Sequence, residues 1–394
     1  MEDKEVTKNQ LITVGLILFF ALILRLYLAQ FGGYEHDIKD FTNWSNEVTT
    51  NGFVNFYENT GSDYPPFYIY ILWWVGHINN LISSDINLLL KFPAIIADIF
   101  AAFFIFLVVR IYTTYKIALT SMIFYAFNPA IIFTSSIWGQ VDSIYTLFLV
   151  LAIGCFIIDS PKSSVILFTL AVLTKPQSLV LLPLLAVLFY KKYSYQMFIT
   201  FSLLSLIIFM VVSKPFYLFT SSWNIFNLYL SSYTQYQFTS MNAFNLWALM
   251  GMFKPDDTIF LLFSYRIWGY ILFGISLLWI IYILLKKNDN RMIYGASALL
   301  FFGFFILSTR MHERYLFPMF AFLAIAMIFD KRLKLLYIIT SLTFFINLYI
   351  VYTEVNTGVA IPLSMFLIPY MIGINIVMFI YFVHYFCTHK QIKS

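Results

Sequence analysis

The sequence predicts an all-α polytopic membrane protein, on three observations. Its 394 residues are 61% hydrophobic and only 11% charged, against roughly 25% charged in soluble domains, too few to cover a water-facing surface. Its apolar runs, such as LITVGLILFFALILRLYLAQ and LLFSYRIWGYILFGISLLWIIYILL, reach the ~20 residues with which a helix crosses hydrocarbon. Its basic residues sit in short clusters between those runs, as loops do, without the continuous basic face that nucleic acid requires. The expected surroundings are therefore a lipid bilayer, and nucleic acid is excluded as a partner.

The first run, 11–30, follows Lys4 and Lys8 as a signal peptide would. It is too long for a signal core and no small-x-small cleavage site follows, so it reads as an uncleaved first span. The remaining spans are expected at 88–110, 117–134, 141–159, 163–174, 176–190, 196–213, 263–285, 292–309, 314–330, 335–352 and 361–386, about twelve in all within one domain, 1–394. The short pair around Pro176 could instead form a broken hairpin. Cys155 and Cys387 fall in separate spans and read as buried small hydrophobes without a disulfide.

A cytoplasmic N-terminus puts fifteen of the 24 Lys and Arg in cytoplasmic loops: Lys4, Lys8, Arg110, Lys116, Lys162, Lys191, Lys192, Lys286, Lys287, Arg291, Lys331, Arg332, Lys334, Lys390 and Lys393. That bias orients both termini inward. It leaves two long extracytoplasmic loops, 31–87 and 214–262, with acids such as Glu35, Asp37, Asp40, Glu47 and Asp63 outside. Residues 64–82 are apolar enough to be counted as a span, but that would reverse everything downstream. Their Pro-Pro start and their Trp and Tyr content suit an interfacial helix. Phe41, Trp44 and Val48 recur at helical spacing, so a second interfacial helix is expected beside it.

Ionisable groups at membrane depth are costly and line cavities or pair with one another. Here they gather at the outer ends of spans: Asp37 and Asp40 after the first, WGQVDS (138–143) before the fourth, LTKPQS around Lys175, and STRMHERYLFP around Arg310 to Arg314. One extracytoplasmic cavity with a carboxylate side and a cationic side accommodates them. Each has a structural alternative. Asp37 or Asp40 would serve as a cap or first-turn acid, Asp142 or Ser143 as a helix cap, and Lys175 as a snorkelling side chain. Arg25 is open between snorkelling and a cavity role, and Asp98 between a buried partner and a cavity wall. Two arginines and a histidine within five residues, on the side where positive charge is disfavoured, suit phosphate, whose oxygens match the guanidinium fork.

Together, the acids after the first span, DYPP at Asp63–Pro66, WGQVDS, TKPQS and MHERYLFP resemble the GT-C glycosyltransferases. The likeness covers roughly the first 330 residues. It points to bacterial relatives of the GPI mannosyltransferases and more remotely to the glucosyltransferases of N-glycan assembly. It implies a GT-C fold in a bacterial plasma membrane, with the active site outside. The reaction implied is inverting transfer of a hexose from a polyprenyl-phosphate carrier to a lipid-linked or cell-surface glycan. The resemblance carries the base to Asp37, seven residues before Trp44, and leaves Asp40 open as a second acid. It carries carrier-phosphate contact to His312 and Arg314, with Arg310 and Lys175 beside them. Asp63, Tyr64, Trp138, Gln140, Asp142, Gln177 and Glu313 are further candidate substrate contacts, although for aromatics such as Tyr64 and Trp138 packing is the more common role. An organic phosphate is a good leaving group, so no cofactor is required; a divalent ion on Asp37-x-x-Asp40 is the less favoured form. The rival reading is a transporter or flippase of lipid-linked saccharide, which would carry its key charges near mid-membrane on broken helices.

Overall fold

The computed structural model describes residues 6–82, 85–217, 224–287, 289 and 291–388. Lys4, Lys390 and Lys393, assigned above to the cytoplasm, lie outside these residues, as do 83–84 and 218–223 of the two long loops. Every expected apolar segment is helical, but the helices fall into two length classes. Six are long and apolar enough to cross a membrane: α1 (Lys8–Leu28), α5 (Ile86–Tyr112), α11 (Tyr195–Ser213, continued by a 3-10 turn), α13 (Tyr265–Lys287), α16 (Lys331–Thr357) and α17 (Ser364–Thr388). A seventh forms if α6 (Tyr115–Ala126) is counted with α7 (Pro129–Ile132) and the π-turn that follows, across a 44° bend. The others are shorter: α8 (Asp142–Ile157), α9 (Pro161–Thr174), α10 (Leu182–Lys192), α14 (Arg291–Leu307) and α15 (Phe317–Ala326). Fourteen residues of α9 rise only about 21 Å, against a hydrocarbon core of ~30 Å.

The long helices α1, α11, α13 and α17 leave large apolar side chains exposed, among them Leu16, Phe20, Leu206, Ile275 and Val377. A surface without polar groups to satisfy is what lipid requires. Breaks in the helices are satisfied from inside. The α6–α7 break falls at Asn128–Pro129, because the residue before proline is driven out of helical geometry. Asn128 Oδ1 accepts from the backbone N–H groups of Ala130 and Ile131, and its Nδ2 donates to the Tyr337 hydroxyl. α9 ends two residues before Pro176, and a 3-10 turn (Pro176–Leu181) leads into α10. Lys192 at the far end of α10 reaches Asp159 at 2.7 Å and the Phe156 carbonyl at 2.9 Å. α9 and α10 are therefore a hairpin with Lys175 at its tip.

Arg25 neither snorkels nor reaches a cavity. Its Nε lies 3.2 Å from Asp98 Oδ2 and its Nη1 donates to the Ala126 carbonyl at 2.7 Å, with both side chains fully buried. Asp98 is thus the buried partner, and the pair joins α1 to α5.

Between α1 and α5 lie α2 (Glu35–Asn51), the short α3 (Phe56–Thr60) and α4 (Pro66–Ile82). The apolar face of α2 packs Phe41 on the Tyr64 and Tyr68 rings, and Ser45 donates to the Leu72 carbonyl at 2.9 Å. The two helices approach so closely at Gly76 that an added Cβ would lie 2.1 Å from Thr49 Oγ1. The second loop contains α12 (Asn224–Thr234) and a two-stranded hairpin, β1 (Ile259–Phe260) with β2 (Phe263–Ser264). Amides on the last two helices hold this loop. Asn347 accepts from Phe244 N–H and donates to the Asn242 carbonyl, and Asn375 donates to the Phe244 carbonyl.

Candidate functional site

α2 starts two residues before Asp37, with Tyr34 at the cap position. Asp37 is therefore a first-turn acid by position, but its carboxylate is engaged by another element. Trp138 Nε1 donates to Oδ2 at 2.7 Å and Gln140 Nε2 to the same oxygen at 2.5 Å. Oδ1 takes no protein donor among the described residues. Gln140 is itself oriented by the Tyr64 hydroxyl, which donates to its Oε1 at 3.1 Å. Trp138 ends the π-turn and stacks on Tyr34 at 4.4 Å, while Tyr34 N–H donates to the Trp138 carbonyl. Gly139 follows at φ +91°, and a Cβ there would meet Ile38 Cδ1 at 2.9 Å. Only glycine lets this turn cross so close to α2.

The lead into α2 is clamped from two sides. Lys91 on α5 donates to the carbonyls of Ala29 and Gly32. On α16, the Tyr352 hydroxyl accepts from Gly33 N–H, and Asn356 donates to the Gly33 carbonyl while accepting from Glu35 N–H. None of these three residues is legible as functional from its own neighbourhood. The only signal of Lys91 and Asn356 is an ammonium or an amide inside an otherwise apolar helix.

A cavity of about 980 Å³, its open mouth included, lies between α2, the Gly61–Tyr64 turn, α12 and the α9 and α14–α15 breaks. Asp37, Asp40, Asp63, Tyr64, Lys175, Gln177, His312 and Arg314 line it, with Trp44 beside them. Ser232, Gln235, Tyr236 and Tyr315 also line it. The loop residues among these follow no periodicity, so the Tyr and Ser content of 214–262 was their only trace.

The cationic wall is built from broken helices. Lys175 Nζ lies 3.0 and 3.1 Å from the two oxygens of Asp142, within 6 Å of the Tyr64, Tyr145 and Tyr315 rings. Lys175 is buried, so it does not snorkel. Asp142 does not cap α8, whose start has no side-chain cap bond. Arg314 donates to Glu313 Oε1 at 2.8 Å, and its Nε is buried without a partner. The His312 ring lies 5.0 Å from Tyr236 and 5.2 Å from Tyr315. Burial, reinforced by the charges of Arg314 and Lys175, pulls this imidazole well below its usual 6.5. It is neutral at physiological pH and can donate or accept. Burial holds Asp63 above the ordinary carboxylate range, opposed by Arg314 and Lys175. Asp40 is held above that range by desolvation and then by its neighbour Asp37.

The remaining residues named from the sequence stand behind this wall, each holding one that lines it. Trp138 and Gln140 hold Asp37, Asp142 holds Lys175, and Glu313 holds Arg314. Arg310 differs. At φ +64° it turns into the second loop, where Nε and Nη2 fork onto Asp256 at 2.6 and 3.2 Å and Nη1 donates to the Tyr233 carbonyl. It ties the loop to the α14–α15 break and is absent from the cavity lining, contrary to the expected phosphate contact. Among the described residues no three His, Cys, Asp or Glu side chains gather as a metal-ligand set.

The cavity thus opposes a carboxylate with one unpartnered oxygen to a guanidinium, an ammonium and a neutral imidazole. It can hold a phosphate ester on one wall and take a proton on the other. No family model matches the chain, and no curated protein matches it significantly.

Proposed function

We propose that the chain is an inverting GT-C type glycosyltransferase, transferring a hexose from a polyprenyl-phosphate carrier to a lipid-linked or cell-surface glycan. In this reading it passes the membrane about twelve times, has both termini in the cytoplasm and opens its cavity to the outside. The observation that carries the reading is the placement of Asp37, with Oδ1 free, in one cavity with Arg314, His312 and Lys175. The acceptor hydroxyl attacks the anomeric carbon as the bond to the carrier phosphate oxygen breaks, and that oxygen leaves with the electron pair. Asp37 takes the hydroxyl proton as it becomes acidic in the transition state. Arg314 and Lys175 stabilise the charge gained by the departing phosphate, and neutral His312 donates to it. The scheme calls on no cofactor.

A flippase would use charge at mid-membrane. The buried pair Arg25 and Asp98, within α1 and α5, is closed against itself.

The test uses purified protein in nanodiscs with radiolabelled polyprenyl-phosphate hexoses and bacterial glycolipid. Wild type transfers label; Asp37→Asn loses about 10²–10⁴-fold in kcat; Arg314→Ala raises KM for the donor. Wild-type transfer by Asp37→Asn would remove the base assignment. Movement of lipid-linked saccharide across vesicles without any transfer would favour the flippase.

A further inference from the structure

A second pocket lies outside the cavity, separated from it by a wall one residue thick. Along the first loop, Ser62 faces the outer pocket while Asp63 and Tyr64 line the inner cavity, and Gly61 borders both. Along α12, Ser231 lines the outer pocket and Ser232 the inner cavity. Two hydrogen bonds hold the wall: Tyr57 donates to the Tyr64 carbonyl at 3.0 Å, and Ser232 to the Asp63 carbonyl at 3.3 Å.

The outer pocket encloses about 730 Å³, again with its mouth. Its aromatic side is Tyr57, parallel to Tyr217 at 6.0 Å and packed on Phe216 at 5.4 Å. The side chains of Asn55, Glu58 and Asn227, also on its lining, have no hydrogen-bond partner among the described residues. Aromatic rings with a few placed amides and one carboxylate form a common small-molecule site. The rings cover the C–H faces of a sugar, the carboxylate accepts from hydroxyls, and the amides do both. Among the described residues no Lys, Arg or His lines this pocket, whereas the inner cavity has three such residues.

We propose that this outer pocket is a subsite for a neutral saccharide, holding the acceptor glycan beyond the unit that receives the transferred sugar. The acceptor role rests on the reading above; saccharide binding itself does not. The anionic carrier is drawn to the inner cations, and a neutral chain passes over the rim at Gly61, which borders both pockets, with one unit on each side. Glu58 and Asn227 then set how tightly a long acceptor binds and leave the donor untouched.

The test separates the two claims. Saturation-transfer NMR on the nanodisc protein uses mannotetraose, maltotetraose and cellotetraose as probes, with glucose 1-phosphate as the anionic control. At least one tetrasaccharide gives a signal with wild type and with Asp37→Asn, and Glu58→Gln/Asn227→Ala weakens its binding about tenfold. Both substituted residues are exposed, so the variant folds. In the transfer assay the same variant raises KM for a long acceptor about tenfold, with kcat and donor KM unchanged. Silence from all three probes, equal binding by the variant, or a signal from glucose 1-phosphate that the variant abolishes would overturn the subsite. If wild type shows no transfer yet binds a tetrasaccharide through Glu58 and Asn227, the enzyme reading falls and the saccharide site stands. Transfer without tetrasaccharide binding removes the subsite alone.

Discussion

The outer and inner helices of this bundle obey different rules. α11 buries two of its 19 residues and α1 three of 21, whereas α15 buries all ten of its residues and α14 fourteen of 17. A helix against lipid must be long enough to satisfy its own backbone across the hydrocarbon. A helix surrounded by protein is free of that demand and can stop short. The inner helices do stop short, and their ends carry the chemistry: Asp142 at the start of α8, Lys175 at the end of α9, and Arg314 just before α15. The site is a recess at the ends of short helices that their neighbours enclose.

That division can be broken most strongly at a buried ionic crossing, the tie from outer α1 to α5. Arg25→Met strands a buried carboxylate and should cost about 3–5 kcal/mol, with most of the loss recovered in Arg25→Met/Asp98→Leu. Detergent-resistant thermal unfolding measures both, and an unchanged midpoint in the single variant would demote the pair.

The inner wall should show itself through pH. A histidine whose folded-state pKa is depressed contributes nothing above the unfolded value of about 6.5. Below it the unfolded chain takes a proton that the folded chain refuses. Stability then falls by up to ~1.4 kcal/mol per pH unit. Asp40, Asp63 and Glu313, held high by burial, contribute in the opposite sense. The comparison is therefore wild type against His312→Gln, which should lose the acid-side slope. Parallel profiles for the two proteins would count against a buried neutral imidazole.

A smaller effect is expected at the hydrogen bonds behind the cavity. Trp138→Phe keeps the stack on Tyr34 but deletes one donor to Asp37, and should lower kcat about tenfold with donor KM unchanged. Least of all, Phe20→Leu on the lipid face of α1 should move stability by no more than about 0.5 kcal/mol; a larger shift would place a partner on that face.

How much of this was legible follows the same division. The apolar helices and their order can be read from hydrophobic runs, but of the twelve expected spans only six helices, or seven with the bent α6–α7 pair, are long and apolar enough to cross. The place of Asp37 in the cavity lining was legible from its position after the first apolar run. Arg310 was not, because its role depends on Asp256, 54 positions away. In the sequence it stands beside His312 and Arg314, yet a backbone with positive φ points it elsewhere. Asp142 looked like a cap because its partner Lys175 belongs to a different span. Tyr236 and Gln235 belong to a loop placed by amides on α16 and α17, which no local pattern announces.

α16 contributes nothing to the cavity lining, yet it holds both sides of it. Tyr352 and Asn356 fix the strand of chain that delivers Asp37, and Asn347 fixes the loop that pairs with His312 through Met241 and Asn242. Synthesis proceeds from the N-terminus, so a nascent chain already possesses every cavity residue some time before it possesses α16. The recess is therefore completed late in biogenesis, by a helix that arrives after everything it arranges. A chain truncated ahead of Lys331 should insert into the membrane and remain inert.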